Sequence, residues 1–244
     1  MRIEAFAIRL RPRSNMEAAD LGVRLCQSAA RQVFTCYWCV GVPIAVLALA
    51  FFQTAAWLPA VIVWCAKPWL DRTILFVLSR AAFGQTTSPA ELWRSRREVW
   101  WHQLTSSWTL RRLSPWRSFT QPVYQLEGLR GSPLRKRVAQ IRRGRTGAAA
   151  LIAFVFGLAE TSLSVGLVSL AFWLTPKGYE PDLGKLLTGQ DSAATALAVQ
   201  AAYAVVVLFL EPFFVAAGFA MYLNRRAELE AWDIEQEFRR AFAV

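Results

Sequence analysis

The chain has 244 residues, of which 55% are apolar and 18% are charged, and its 28 basic against 17 acidic residues give a formal net charge of +11. The apolar residues are clustered in runs long enough to cross a bilayer, which excludes an ordinary soluble domain, a fibrous protein and a disulfide scaffold. The excess of positive charge must face something anionic, and nucleic acid and phospholipid headgroups are the two candidates.

The first predicted element, residues 1–32, is a cytoplasmic amphipathic helix. Ser14 and Glu17, three residues apart, have the form of a capping box that starts a helix. Apolar side chains then recur at helical spacing, at Ala18, Leu21, Leu25 and Ala29. We expect this helix to lie along the membrane surface, where it leads into the first span.

Residues 33–66 are predicted to form the first transmembrane hairpin. The run 33–52 holds twenty residues without a charge, which as a helix reach roughly 30 Å, the thickness of the hydrocarbon core. The second apolar run, 55–66, is short for a span and ends at Lys67 and Pro68.

Residues 67–146 form a basic segment, rich in Trp and Arg, that we expect to be cytoplasmic and interfacial. It carries sixteen basic and four acidic residues, a net charge of +12. Within it, 68–84 has apolar residues at helical spacing but also contains Asp71 and Arg72. A further span here would place these charges and Lys67 in the bilayer, at up to roughly 2.5 to 3.5 kcal/mol each. The pattern leaves two interpretations for 68–84, a helix on the membrane surface and a re-entrant segment.

Tryptophans of this segment share one predicted helical face. The face consists of Trp93, Trp100, Trp101 and Trp108 together with Leu104, which fall within an arc of roughly 100 degrees on a helical projection that Arg97 interrupts. Trp prefers the headgroup region of a bilayer, and the flanking Arg94 and Arg96 can reach lipid phosphate. This pattern predicts an interfacial amphipathic helix rather than a platform for stacked bases, so we expect no nucleic-acid partner.

A cluster of basic residues stands directly before the third predicted span. Its members are Arg135, Lys136, Arg137, Arg142, Arg143 and Arg145. Basic residues in such a position set topology, and each contributes on the order of 1 kcal/mol near an anionic surface. We therefore predict contact with anionic lipid headgroups, either as a topology determinant alone or as a specific lipid- or phosphate-binding site.

Residues 147–222 are predicted to form the second transmembrane hairpin, with spans over 148–175 and 193–222. Each span is interrupted by a single glutamate, Glu160 in one and Glu211 in the other. They lie roughly 20 Å and 17 Å from the inner ends of their helices, so that their depths nearly match. The two are either a site for a proton or a cation, or packing elements hydrogen-bonded to polar neighbours. Those neighbours are Thr161, Ser162, Ser164, Gln200 and Tyr203.

Charge asymmetry orients the predicted spans. The loop 176–192 has a net charge of −1, whereas the segment 67–146 has a net charge of +12. Because Lys and Arg stay on the cytoplasmic side, we expect a multi-pass membrane protein with both termini cytoplasmic.

Residues 223–244 are predicted to form a cytoplasmic amphipathic C-terminal helix. Its apolar stripe is Ala227, Ala231, Ile234, Phe238 and Ala241. Glu228, Glu230 and Glu235 lie off this stripe, and an acidic helix suits a protein partner better than an anionic lipid.

No pattern for metal binding or catalysis accompanies these elements. The four cysteines and the single His102 do not have the spacing of a metal site, and nucleotide-binding, dinucleotide-binding and hydrolase motifs are absent. We expect no catalytic residue, no metal and no cofactor, and therefore a protein that is not an enzyme.

Three separated blocks carry a further pattern. They are Lys67-Pro-Trp-Leu-Asp-Arg72 with Phe76-Val-Leu-Ser-Arg80, then Trp108-Thr-Leu-Arg-Arg-Leu-Ser-Pro-Trp-Arg-Ser-Phe119 with Gln125-Leu-Glu-Gly128, and finally Glu211-Pro-Phe-Phe-Val-Ala-Ala-Gly-Phe-Ala-Met-Tyr-Leu-Asn-Arg-Arg226 with Leu229-Glu-Ala-Trp-Asp-Ile-Glu235. These blocks, a minority of the chain, resemble an uncharacterised family of bacterial inner-membrane proteins. Members accompany a MoxR-type ATPase, a von Willebrand-like protein, and RDD, sporulation-stage-II-M-like and transglutaminase-like membrane proteins. The resemblance implies partnership and supplies no catalytic residue.

The sequence as a whole predicts an all-α polytopic membrane protein with four transmembrane helices in two hairpins and additional interfacial and cytoplasmic helices. Its predicted role is that of a non-enzymatic subunit or scaffold in a multi-protein membrane assembly. Expected partners are anionic lipid, other membrane proteins and a cytoplasmic ATPase. The alternative is a small proton- or cation-coupled transporter or channel subunit that uses Glu160 and Glu211.

Overall fold

The computed structural model of the chain describes residues 13–101, 114–174 and 193–230. These residues form helices without any strand, which confirms the all-α prediction for the described part. The chain divides into two compact units. Unit 1 comprises Met1–Tyr37, Pro68–Phe154 and Pro212–Val244, and unit 2 comprises Trp38–Lys67 and Val155–Glu211.

Eight α-helices occur in the described residues. They are α1 (Asn15–Ser28), α2 (Ala30–Ala50), α3 (Leu58–Ala81), α4 (Pro89–Arg94), α5 (Arg117–Leu126), α6 (Gly131–Arg142), α7 (Thr146–Trp173) and α8 (Ala193–Glu230). A short 3-10 turn, Phe51–Gln53, follows α2, and a π-helical turn, Arg97–Trp101, follows α4.

Three helical stretches of the described residues are long and apolar enough to cross a membrane. They are Ala30–Gln53, Thr146–Trp173 and Ala193–Glu230. Three of the four predicted spans thus coincide with helices of sufficient length and composition. The remaining one, 55–66, overlaps only the first part of α3, which is not among the three.

In unit 1, α1 begins and packs through its predicted residues. Ser14 is its N-cap, since the hydroxyl accepts a hydrogen bond from the Glu17 backbone N–H at 3.2 Å. Three members of the predicted apolar face are buried, namely Ala18, Leu25 and Ala29. α1 also packs against α8 at Gly22, where an added Cβ would lie 2.1 Å from the Ala216 carbonyl oxygen. The apolar face of α1 therefore packs within the protein, while the position of α1 along the membrane surface stays a prediction.

The segment 68–84 belongs for most of its length to α3, which continues from Leu58 through Lys67 and Pro68 to Ala81. It is therefore part of a longer helix and not a separate element, while its position relative to the membrane stays a prediction. The helix continues through Pro68 because a proline removes only one backbone hydrogen-bond donor. The surrounding packing can compensate the loss of that hydrogen bond.

The charged residues of this part of α3 are buried in unit 1 and have partners there. Arg117 Nε lies 3.1 Å from Asp71 Oδ2. Arg72 Nε donates to the Val99 carbonyl at 2.6 Å, and the Gln125 side chain donates to the Arg72 carbonyl at 2.8 Å. These contacts offset part of the cost of burying the two charged groups.

In unit 2, small apolar residues form a core between α2, α3 and α8. The core consists of Ala45, Ala48, Val63, Ala204 and Val207. Gln200 of α8 caps the start of α3, because its Oε1 accepts a hydrogen bond from the Ala60 backbone N–H at 3.0 Å. α7 differs from the other helices, since none of its residues from Val155 to Trp173 is buried. Its exposed apolar surface is compatible with contact with lipid.

Candidate functional site

Three charged side chains of unit 2 meet in one group, the Lys67 cluster, which consists of Lys67, Glu160 and Glu211. The Lys67 Nζ lies 2.5 Å from Glu160 Oε2 and 3.0 Å from Glu211 Oε2. In the order Lys67, Glu160 and Glu211, the side chains are 7%, 19% and 3% exposed. They are the only charged residues in the described part of unit 2. Each of these charges is therefore in a direct ion pair.

The cluster joins three helices of unit 2. Lys67 lies in α3, Glu160 in α7 and Glu211 in α8. Because an unpaired charge in apolar surroundings is costly, separation of these helices is opposed by the loss of both ion pairs. α7 buries no residue in the described part of unit 2, and the pair of Glu160 with Lys67 is a polar contact that joins it to α3.

A proline directly follows two members of the cluster. Pro68 lies within α3 and Pro212 within α8. Proline has no backbone N–H, so the carbonyl four residues earlier loses its helical hydrogen bond. In α8 this is the carbonyl of Leu208, and the Trp38 indole N–H donates to it at 3.1 Å. Trp38 thus satisfies a backbone group that the helix itself does not.

The polar neighbours predicted to hold the two glutamates have, for the most part, other partners. The Thr161 and Ser164 hydroxyls donate to carbonyls of their own helix at 3.0 Å and 2.7 Å. Gln200 accepts from the start of α3, and Ser162 is exposed. Tyr203 is the member of the predicted set whose side chain interacts with the Glu160 carboxylate and with Lys67. The main partner of both glutamates is therefore the lysine.

The sequence pattern identifies Glu160 and Glu211 but not Lys67. Lys67 directly follows an apolar run, and this position was interpreted as the end of a span. Charge balance is the signal that could have found it, since two carboxylates in apolar helices require a cation and Lys67 adjoins such a run. Within the described residues, no group of three or more His, Cys, Asp or Glu side chains converges to hold a metal ion.

Only part of the predicted tryptophan face is exposed. Trp93 and Trp101 are 61% and 69% exposed, but Trp100 is only 6% exposed. The Trp100 indole N–H donates to the Thr73 hydroxyl at 2.9 Å, and its ring packs against Trp69. The cause is local, because α4 ends at Arg94 and a π-helical turn follows, which changes the register. Leu104 and Trp108 lie outside the described residues.

Two of the six residues predicted to contact anionic lipid are ion-paired inside unit 1. Arg137 Nε lies 2.8 Å from Glu127 Oε2, and Arg137 also pairs with Glu230. Burial alone would lower the pKa of Arg137, but its hydrogen bonds with Glu127 and Glu230 raise it. Arg145 Nη2 lies 2.8 Å from Glu228 Oε1. Glu228 and Glu230, predicted to face a protein partner, are thus counter-ions within the protein.

The other four basic residues remain accessible. Arg135, Lys136 and Arg143 are exposed, and Arg142 is half-buried. The Arg142 guanidinium lies over the Trp116 ring, 4.2 Å from its centroid, as a cation–π contact. The structure therefore divides the predicted lipid-contact cluster into two residues that stabilise unit 1 and four that can meet a ligand.

The predicted C-terminal helix is described only in part. Residues 223–230 continue α8 without a break, and Ala227 of the apolar stripe is buried. The other predicted members, Ala231, Ile234, Glu235, Phe238 and Ala241, lie outside the described residues.

Comparison of the chain with protein families, with curated proteins and with solved structures finds no match.

Proposed function

We propose that the chain is a four-span protein of the bacterial inner membrane, with both termini cytoplasmic, that acts as a non-enzymatic subunit or scaffold of a multi-protein membrane assembly. The three long apolar helices supply three of the spans. Other membrane proteins and a cytoplasmic ATPase are the partners that the family resemblance suggests.

The fourth span is α3, whose crossing extends past Lys67. The nine residues before Lys67 reach only roughly 14 Å as a helix, less than half of the hydrocarbon thickness. The ion pairs with Glu160 and Glu211 permit Lys67 to lie at depth, since they compensate its charge. With four spans, the strongly basic segment and both termini share one side of the membrane, as the distribution of Lys and Arg favours.

The observation that carries the assembly role is an exposed surface of unit 1, which we call the Trp93 surface. It consists of Trp93, Arg94, Arg96, Arg97 and Trp101. The Arg96 guanidinium lies 5.6 Å from the centroid of the Trp93 ring and donates to the Trp93 carbonyl at 3.2 Å. Trp and Arg are the residues most enriched at the energetic centres of protein interfaces. Two indoles left this exposed suit a surface that a partner covers.

A photo-crosslinking experiment in native membranes tests the assembly role. A benzophenone amino acid replaces Trp93 or Trp101, and a matched control places it at Gln140, which is exposed in the same unit away from this surface. We expect one or a few defined proteins to be captured from positions 93 and 101 but not from 140. Substitution of Arg96 by Glu should remove these adducts. Adducts confined to lipid, or the same proteins from all three positions, would contradict the role.

The second candidate function is a proton- or cation-coupled transporter or channel subunit. The observation that favours it is the meeting of Glu160 and Glu211 at the Nζ of one lysine within helices of unit 2. Buried ionisable groups in membrane helices are characteristic of ion pathways. An ion-paired carboxylate would become available to a proton or cation only when Lys67 moves away from it.

Flux measurements separate the two functions. Glu160→Gln and Glu211→Gln variants, reconstituted in proteoliposomes, are compared with the unaltered chain for proton and cation flux and for unfolding in detergent. A subunit role predicts that both variants are less stable than the unaltered chain. It also predicts that none of the three proteins shows flux. Flux in the unaltered chain that is lost in well-folded variants would support the transporter.

A further inference from the structure

Unit 1 carries more positive charge than its own acidic residues compensate. Nearly every described acid of this unit is already paired with a basic residue elsewhere in the fold. The pairs are Arg13–Glu17, Arg24–Asp20, Arg80–Glu91, Arg117–Asp71, Arg137–Glu127, Arg145–Glu228 and Arg226–Glu230. Among the described acids the exposed Glu98 is the exception. The accessible basic residues that precede α7 therefore favour an anionic ligand from outside the chain.

Two of these basic residues lie on one flank of α6. Arg135 and Arg142 are seven residues apart, so that their side chains project within about 20 degrees of each other, two turns apart along the helix. The small Ala139 lies between them and leaves space above the backbone. The face of α6 that packs into the unit is formed by Leu134, Val138 and Ile141. This packing leaves Arg135 exposed and Arg142 half-buried at the flank of the helix.

An aromatic ring orients the second of these arginines. Trp116 supports the Arg142 guanidinium at 4.2 Å from the ring centroid. The Arg142 Nε is buried and donates to no acceptor in the described structure. A guanidinium that is held over a ring and has no carboxylate partner presents its remaining donors for bidentate recognition of a phosphate.

The position along the chain places this group next to a membrane helix. Arg143 directly follows α6, and α7 begins three residues later, at most about 11 Å away between Cα atoms. Exposed apolar side chains of α7 then begin at Leu151. If α7 crosses the bilayer, Arg142 and Arg143 lie at the depth of the lipid phosphates.

We propose that Arg135, Arg142 and Arg143, with Trp116 as a platform for Arg142, bind the phosphate of an anionic phospholipid headgroup where α7 enters the membrane. Lipid is favoured over a soluble phosphate compound because the site adjoins an apolar exposed helix that can contact acyl chains. The lipid site rests on the proposed membrane topology but not on the proposed assembly role. The lipid site can therefore fail while the assembly role holds, and the reverse.

Native mass spectrometry of the full-length protein in neutral detergent measures this binding. Phosphatidylglycerol and phosphatidylcholine are titrated separately, and the ratio of their dissociation constants gives the headgroup preference. We expect the unaltered chain to prefer phosphatidylglycerol, and Arg142→Gln to reduce this preference about fivefold. The triple variant R135Q/R142Q/R143Q should reduce it by up to about a hundredfold.

Two further variants distinguish a built site from net charge. R94Q/R96Q/R97Q removes the same three charges from the Trp93 surface and should leave the preference unchanged. Trp116→Leu keeps every charge, including the Lys and Arg residues that set the topology. It should nevertheless reduce the preference for phosphatidylglycerol as Arg142→Gln does. The proposal is overturned if phosphatidylglycerol is not preferred, if both triple variants lose preference equally, or if Trp116→Leu has no effect. Displacement of the lipid by glycerol 3-phosphate would instead assign the site to a soluble phosphate.

Discussion

Substitution of Lys67 by Met tests the Lys67 cluster most directly. Met keeps the length and the apolar stem of the side chain but removes the ammonium, so that packing changes little while the ion pairs are lost. Glu160 then keeps its charge without the cation that lies 2.5 Å from it. The expected loss of stability therefore comes from an uncompensated charge and not from a cavity.

The expected loss of stability follows from burial of the cluster. Lys67 is 7% exposed and Glu160 is 19% exposed, so that water can solvate the remaining carboxylate only in part. Removal of one partner of a buried ion pair costs about 3 to 5 kcal/mol in the free energy of unfolding. Glu160→Gln should cost only about 1 to 2 kcal/mol, because the amide oxygen still accepts a hydrogen bond from Lys67 and no unpaired charge is left.

Unfolding in mixed micelles of neutral detergent and sodium dodecyl sulfate, followed by circular dichroism, measures both free energies. Gln53→Met is the matched control, since Gln53 is exposed in the same unit and its loss should change stability by less than about 0.5 kcal/mol. The double variant K67M/E160M should recover part of the stability lost in K67M, because neither member of that pair then remains charged. The reasoning is refuted if K67M is as stable as the control, or if Glu160→Gln is as damaging as K67M.

Four further predictions concern packing, charge, topology and the burial of a thiol. Gly22→Leu should destabilise the protein by at least about 1 to 3 kcal/mol, because its Cβ would meet the Ala216 carbonyl. Gly147→Ala is the control, since a Cβ at Gly147 has open space. Thermal unfolding of both variants checks the difference. Arg137→Gln should lower the free energy of unfolding by about 1 kcal/mol through its pairs with Glu127 and Glu230, while the exposed Arg135→Gln should change it little. Single cysteines are placed at Gln53 or at Gln85 in a background without the native thiols. An impermeant maleimide should label the first from the periplasmic side and the second from the cytoplasmic side. Labelling of both positions from the same side would contradict four spans. With Cys26 as the single thiol, labelling should require unfolding, because burial raises its pKa to about 12.

The long apolar helices and the start of α1 are predictable from sequence because both depend on local properties. A span requires a long apolar run that matches the bilayer, and α2, α7 and α8 contain such runs although a single glutamate interrupts each of the last two. Likewise, Ser14 and Glu17 are three residues apart, and a cap involves no distant residue.

The Lys67 cluster is not predictable in the same way, because its members are distant in sequence. A basic residue next to an apolar run usually lies at a membrane surface, and only packing shows that Lys67 meets Glu160 and Glu211. The sequence also does not distinguish Arg137 and Arg145 from their basic neighbours. Their counter-ions, Glu127, Glu228 and Glu230, come from other parts of unit 1 and are known only once the helices are packed.

Trp100 shows how a local irregularity defeats a periodic pattern. A helical projection assumes that each residue turns by the same angle, and one π-helical turn changes the angle for all the residues that follow it. That turn directs Trp100 to Thr73, while its neighbour Trp101 remains exposed. A buried tryptophan that donates its N–H is an ordinary core residue, so that only the exposed indoles stay candidates for recognition.

The three sequence blocks around Asp71, Arg117 and Tyr222 contact one another through polar side chains. Asp71 of the first block pairs with Arg117 of the second. The Tyr222 hydroxyl of the third block donates to Glu127 of the second at 2.7 Å.

Residues engaged with one another in this way maintain packing, and their substitution should lower stability whatever ligand or partner is present. The side chains left accessible, such as Trp93, Trp101 and Arg135, lie outside the blocks. A loss of partner or lipid binding without loss of stability is therefore expected from substitutions outside the blocks and from Trp116, a residue of the second block that supports Arg142.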